Sequence, residues 1–290
     1  MATAKAKKAM PATTVLEFDT DAIKKRELEV AKESDAEILE RLGERFEILT
    51  EMTKAVKSGD VRAMIVSGPP GVGKSFGVEE VLSKDGLFDV LGERKPRYEI
   101  VKGAMSALGL YAKLYEFADA KNVIVFDDCD SVLMDELSLN ILKGALDSSK
   151  KRTIAWNTDS RLLRSEGIPD KFEFKGAAIF ITNIKFEHVR SKKLRDHLDA
   201  LESRCHYIDL QMDTEREKIL RIKQVVNEAG MLDTYEFEDC VKDEIVAFID
   251  ENKTKLRELS LRMVLKIADL RKSFPTSWKA MAKTTCMKRV

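Results

Sequence analysis

The stretch Gly68-Pro69-Pro70-Gly71-Val72-Gly73-Lys74-Ser75 constrains this chain more than any other. Its spacing is G-x-x-x-x-G-K-S, and each residue type has a physical reason to be there. Glycines let a backbone wrap closely round an anion and adopt φ values that other residues resist. The N–H groups of such a turn point inward at a helix N-terminus, whose partial positive charge favours phosphate. On this chemistry Lys74 reaches the β- and γ-phosphates of a nucleotide, and the Ser75 hydroxyl holds Mg²⁺. The nucleotide-contacting set runs from Gly68 to Phe76. The flanks agree with it. Ala63-Met64-Ile65-Val66 reads as a buried strand ahead of the loop, and Phe76 to Leu82 reads as a helix after it.

A second stretch adds acids. In Asn122-Val123-Ile124-Val125-Phe126-Asp127-Asp128-Cys129-Asp130, four apolar residues end in carboxylates. That is a buried parallel strand with its acids at the C-terminal edge, where open α/β sheets place ligands. Asp127 is the predicted Mg²⁺ ligand, and Asp128 the group that orients or deprotonates the attacking water. A third buried strand, Ala177 to Thr182, ends at Asn183. Alone, an Asn after a strand is a turn former. After a phosphate loop and an acid-ended strand, it is a candidate sensor of the γ-phosphate or of water.

Bulk properties exclude little but guide the rest. The 290 residues suffice for a large and a small domain. Lys plus Arg and Asp plus Glu number 50 each, so net charge does not argue for a polyanionic partner. The four cysteines, Cys129, Cys205, Cys240 and Cys286, lack metal-ligand spacing and suit free thiols in a reducing compartment. No apolar run nears the ~20 residues of a membrane span, and the first residues lack a signal-peptide core. The expected compartment is cytoplasmic. Residues 1–14 read as a polar tail. Asp21 to about Ser58 reads as helix divided near Gly43. Asp85 to Arg97 is a polar connection. Tyr98 to Val101 is a short strand, Leu108 to Ala118 a helix, and Glu136 to Ser148 another. Residues 214–287 read as helices broken near Gly230, Asn252-Lys253 and Pro275.

Taken together, these motifs resemble those of the AAA+ ATPases over about residues 60–272. Gly68–Ser75 matches the Walker A motif, Val123–Asp128 Walker B, and Asn183 sensor 1. Leu201-Glu202-Ser203-Arg204-Cys205, ahead of the short strand His206–Leu210, matches the arginine-finger region, in the Ser-Arg-Cys form of clamp-loader subunits. Arg262, in Glu258-Leu259-Ser260-Leu261-Arg262, falls where the family carries sensor 2. The resemblance implies an α/β fold with a five-stranded parallel sheet flanked by helices, followed by an all-helical lid. The implied division is 1–60 for the tail and N-terminal helices, 61–212 for the ATPase core and 213–290 for the lid. It further implies ATP and Mg²⁺ as cofactors, a homo-oligomer with nucleotide between subunits, and catalysis involving Asp128, Asn183, Arg204 and Arg262. Arg204 would act in trans on a neighbour's γ-phosphate. A surface salt bridge is the plain alternative for Arg204, and Arg195 is its rival for the role.

Two departures from the family stand out. Asp128 replaces the usual Glu, which shortens the carboxylate arm by a methylene. Lys102-Gly103-Ala104-Met105-Ser106 lacks the aromatic of peptide-threading relatives. Thr153–Trp156 and Phe172–Phe174 read as two strands around a loop, Asn157–Lys171, matching a pre-sensor-1 hairpin. The loop region holds Lys150, Lys151, Arg152, Arg161, Arg164, Lys171 and Lys175 among several acids. Two partner classes remain open. One is DNA, in replication, recombination or repair. The other is a protein client, with a slow nucleotide-switched scaffold as a third option. The compact build resembles ATPases encoded by phages.

Overall fold

A computed structural model describes residues 27–84 and 96–289. The polar tail, the start of the helical stretch at Asp21 and most of the connection Asp85–Arg97 lie outside the described residues. Among the described residues seven strands follow in order: β1 (Ala63–Ser67), β2 (Tyr98–Lys102), β3 (Val123–Asp127), β4 (Thr153–Ala155), β5 (Lys171–Glu173), β6 (Ala177–Thr182) and β7 (His206–Asp209). Five of them form one sheet, in the order β2-β3-β6-β1-β7. Every pairing within that sheet is parallel. The fold is α/β.

The central strands are apolar at nearly every position because both faces are covered. Every residue of β1, β3 and β6 is buried. Alternation along the strands divides the core. Ile65, Ile124, Phe126, Ala178 and Phe180 face one cluster, while Met64, Val66, Val125, Ile179 and Ile181 face another. Phe126 and Phe180 stack across β3 and β6 with ring centroids 5.2 Å apart. Each large apolar side chain buried this way contributes roughly 1.5–3 kcal/mol.

Helices cover both faces. α1 (Asp35–Ser58) and α2 (Lys74–Ser83) add Leu49, Val56, Val78 and Leu82 to the second cluster. α3 (Ala107–Glu116), the short α4 (Asp130–Leu133) and α5 (Glu136–Ala145) cover the first. α6 (Arg161–Ser165) and α7 (Lys192–Glu202) complete that side through Leu163, Leu198 and Leu201.

From Glu215 onward the chain is helical, with α8 (Glu215–Asn227), α9 (Asp239–Glu251), α10 (Leu261–Ser273) and α11 (Trp278–Thr285). These helices close round an apolar cluster of their own, including Ile222, Phe248, Met263, Ile267 and Trp278. An isolated bridge between Leu256 and Met287 ties the C-terminal end to the turn before α10.

α1 joins the two parts. Its first half packs Ile38 and Leu42 with Val72 of the phosphate loop and Leu220 of α8. Arg41 pairs with the buried Glu217 at 3.0 Å, and Arg216 pairs with Asp35 at 2.6 Å.

Two local expectations are corrected. The break in the N-terminal helices is not at Gly43, which lies inside the continuous α1. Ser34 and Glu37 form a reciprocal capping box that starts the helix, and this strong start signal outweighs the modest cost of one interior glycine. Asn157–Lys171 is not a plain loop either. It contains α6, capped by Ser160 and anchored by buried Leu163. β4 and β5 do pair antiparallel, with Ile154 opposite Phe172. No helix among the described residues is long and apolar enough to cross a membrane.

Candidate functional site

The strand order itself assembles the site. The phosphate loop follows β1, the acids end β3 and Asn183 follows β6, and these three strands lie side by side in the centre of the sheet. Their C-terminal ends therefore converge, as in other open α/β sheets.

The loop turns through left-handed backbone at Gly71 (φ 71°) and at Gly73 (φ 104°), the N-cap of α2. At Gly71 a side chain would also meet the start of α10, because a Cβ built there lies 2.8 Å from Ser260 Cβ. The C-terminal helices contact this point directly, since Leu261 N–H donates to Gly71 O at 2.8 Å.

Lys74 is buried, and its ammonium donates three hydrogen bonds. The acceptors are Gly68 O at 2.6 Å, Pro69 O at 2.9 Å and Asn183 Oδ1 at 2.7 Å. Burial pushes this ammonium down to about 8, with Asp128 acting in the opposite direction and Arg262 in the same one. Asn183 then passes the contact on, its Nδ2 donating to Asp128 Oδ1 at 2.8 Å. One side chain thus links the phosphate-loop lysine to the second acid. Asp128 sits just past β3 in left-handed backbone (φ 52°). Aspartate tolerates that region better than most residues.

The first acid is held differently. Asp127 is buried, and its Oδ1 accepts from Ser75 Oγ at 2.8 Å. Its Oδ2 lies 3.4 Å from Lys102 Nζ, one strand over. A hydroxyl and a carboxylate facing each other form a hard-oxygen pair. This suits Mg²⁺, which takes one or two protein oxygens and fills its other positions with phosphate and water. Ser75 and Asp127 are the residues that would hold the ion.

Several neighbours escaped the sequence reading. Lys102 reaches Asp127 only through the β2–β3 register, which pairs the two residues. Asp130 accepts from Thr182 Oγ1 at 2.9 Å and supports the ends of β3 and β6, while burial raises its carboxyl. Phe46 lies against the loop, its ring edge 3.8 Å from a Cβ built at Gly73, and the Arg221 guanidinium stacks 3.7 Å from its centroid. Burial lowers Arg221 to about 10. No local signal in the sequence could pair Phe46 with Arg221 of α8.

The structure brings together the loop, Lys74, Ser75, Asp127, Asp128 and Asn183. Arg262, in the first turn of α10, has its Cγ 3.5 Å from a Cβ built at Gly71, so it flanks the loop. Phe76 follows Ser75 but points outward, 71% exposed. Arg204 is not in this group. It precedes β7, two residues before His206, which pairs with Met64 near the start of β1. At ~3.3 Å per residue that is roughly 15 Å or more from the phosphate loop. Arg195 is also elsewhere, and its guanidinium donates to Val189 O within its own chain.

No protein-family model matches the chain. It is 32% identical over 257 residues to the uncharacterized 36.7 kDa protein in the nrdC-mobD intergenic region of Enterobacteria phage T4, a match covering 88% of this chain and 77% of that protein. The chain belongs to the family of that phage protein. Among solved structures, domain III of the Thermotoga maritima replication initiation protein DnaA aligns with a TM-score of 0.46 and 12% identity, over 84% of this chain and 91% of that one.

Proposed function

We propose that this chain is an AAA+ ATPase that hydrolyses ATP with Mg²⁺ in a homo-oligomer and acts on a partner in DNA replication, recombination or repair. The observation that carries the ATPase reading is the Asn183 bridge between Lys74 and Asp128, set beside the Ser75–Asp127 pair. These are the contacts expected of a site waiting for a terminal phosphate. Lys74 would turn from backbone carbonyls to the β- and γ-phosphates, and Asn183 and Asp128 would be left to position a water for attack on the γ-phosphorus. Bound Mg²⁺ would supply charge neutralisation at the phosphate oxygens. Arg262, entering from the lid, would contact the same phosphates and couple nucleotide state to the lid. The separate apolar cluster of the C-terminal helices supports the division into 1–60, 61–212 and 213–290.

The oligomer is supported by two features of the surface. Arg204 cannot reach its own phosphate loop, and Phe76 exposes an apolar ring beside Ser75. The DNA assignment rests on the Ser203-Arg204-Cys205 form and on the absence of a threading aromatic after β2. The hairpin contributes less than its composition promises. Arg152 is buried against Phe174 and donates to Ala145 O and Gly176 O. Arg164 pairs with Asp159, and Lys175 pairs with Glu173 at 3.5 Å.

Steady-state ATPase rates test the reading, measured without addition, with single-stranded DNA and with duplex DNA, at two salt concentrations. Stimulation that weakens with salt supports phosphate contacts. Appreciable turnover indifferent to DNA transfers the assignment to a protein client. No turnover under any condition removes the ATPase reading.

A further inference from the structure

Lys102 belongs to none of the phosphate-site motifs, yet it faces the acid assigned to the metal. Side chains alternate along a strand, and residues paired across parallel strands share a face. Tyr98 and Ile100 of β2, with Val123 and Val125 of β3, pack into the cluster beneath α2. Lys102 and Asp127 are the next pair on that face, so they emerge where α2 begins, beside Ser75. The Asp127 side chain is 5% exposed and that of Lys102 is 62% exposed. The carboxylate divides its oxygens. Oδ1 accepts from Ser75 Oγ at 2.8 Å, and Oδ2 lies 3.4 Å from the Lys102 ammonium. Among the described residues, Lys102 is the cation that forms an ion pair with Asp127. Lys74 is turned elsewhere, onto Gly68 O, Pro69 O and Asn183 Oδ1, and Asp128 is held by Asn183.

A buried carboxylate is costly to leave without a counter-charge. Mg²⁺ takes hard oxygen ligands, and the oxygens it would use on Ser75 and Asp127 are the ones these contacts occupy. A dication and an ammonium on one carboxylate repel each other strongly where water is partly excluded. Lys102 is the group that can leave, because its long stem ends a strand and rotates into water. The space there is open. Gly103 follows in left-handed backbone (φ 97°), and a Cβ built on it meets nothing within 4 Å. An ion pair between two exposed side chains would carry little. Here the acid is buried and is half of the metal pair.

Resting on the ATPase reading, we infer that Lys102 is a positioning residue that holds the metal's place on Asp127 and competes with Mg²⁺ for it. Without the metal, the ammonium neutralises Asp127 and lets the phosphates of a metal-free nucleotide lie beside it. With Mg²⁺ that pairing is given up, and its loss weakens metal binding. Lys102 thus sets how strongly nucleotide binding depends on Mg²⁺. It acts on the metal acid and not on Asp128, so its effect shows in binding, before any hydrolysis.

The test measures the dissociation constant of a fluorescent ADP in excess EDTA and in excess Mg²⁺, for the unsubstituted chain, Lys102→Ala, Lys102→Gln and Lys102→Arg. The quantity read is the ratio of the metal-free value to the Mg²⁺ value. Lys102→Ala and Lys102→Gln should both raise it about 3- to 10-fold, tightening the Mg²⁺ complex and weakening the metal-free one, between the effects of an exposed and a buried ion pair. Lys102→Arg keeps the charge, and its ratio should stay nearer the unsubstituted chain than Lys102→Ala. A purely structural role would weaken both complexes together and leave the ratio unchanged, and that result would overturn the inference. A ratio that falls in Lys102→Ala would also overturn it, since Lys102 would then assist the metal. So would a rise in Lys102→Arg equal to that in Lys102→Ala, because charge would not be the cause. No ADP binding to the unsubstituted chain under either condition would remove the nucleotide reading itself, and the inference with it.

Discussion

The two edges of the central sheet contrast in how their charges are settled. At the C-terminal edge the key groups are paired inside the chain. Lys74 is tied to Asn183, Asn183 to Asp128, Ser75 to Asp127 and Asp127 to Lys102. At the other edge Arg62 donates to the Asp147 carbonyl and Arg204 to the Ala200 carbonyl, and among the described residues the buried Arg204 Nε has no hydrogen-bond partner. The first edge settles its charges within the chain, and on the proposed reading a nucleotide enters it by replacing those internal contacts. On that reading the two edges are two halves of one site, brought together by a second copy.

Substitutions can break this contrast from either side. Lys74→Ala should have the largest effect, weakening ATP binding by at least about 100-fold in equilibrium titration, since it removes the only lysine of the phosphate loop. Arg204→Ala should leave binding within about twofold and lower turnover by about 10³-fold, within the range for a supplied arginine in phosphoryl transfer. That split between binding and turnover is what separates the two edges. Asn183→Ala removes the link between Lys74 and Asp128 and should slow turnover about 10- to 100-fold with little change in nucleotide affinity, read by single-turnover kinetics.

Two further substitutions examine α1, which joins the C-terminal helices to the first edge. Arg41→Ala leaves Glu217 buried without its guanidinium and should cost about 2–4 kcal/mol, seen as a lower Tm in thermal unfolding. Gly43→Ala should do the reverse. A Cβ there meets nothing within 4 Å, so the helix should gain about 0.5–1 kcal/mol in denaturant unfolding.

Much of the first edge was legible in sequence, because its chemistry is written in contiguous residues. A phosphate loop fixes its own backbone, and a short β-branched run such as Val123–Phe126 ending in acids reads as a buried strand with its carboxylates at one end. Asn183 became readable through its position after a third such run. What could not be read was anything set by register or by packing between distant helices. Lys102 meets Asp127 because β2 happens to pair with β3 in that register. Phe46 meets Arg221 because α1 lies across α8. Arg62 resembles any charged residue before a strand, and only the fold brings its guanidinium to the Asp147 carbonyl. The division at Gly43 failed for a related reason. A glycine weakens a helix locally, but Ile38, Leu42, Leu49 and Val56 bury a continuous face across it.

The central claim is that one chain carries only half of a working site. The most direct measurement is ATPase activity per chain as the protein is diluted at saturating MgATP, with the assembly state followed by sedimentation on the same samples. Activity per chain should rise with concentration and track the appearance of assemblies. Activity per chain that stays constant down to concentrations where only single chains sediment would contradict the account.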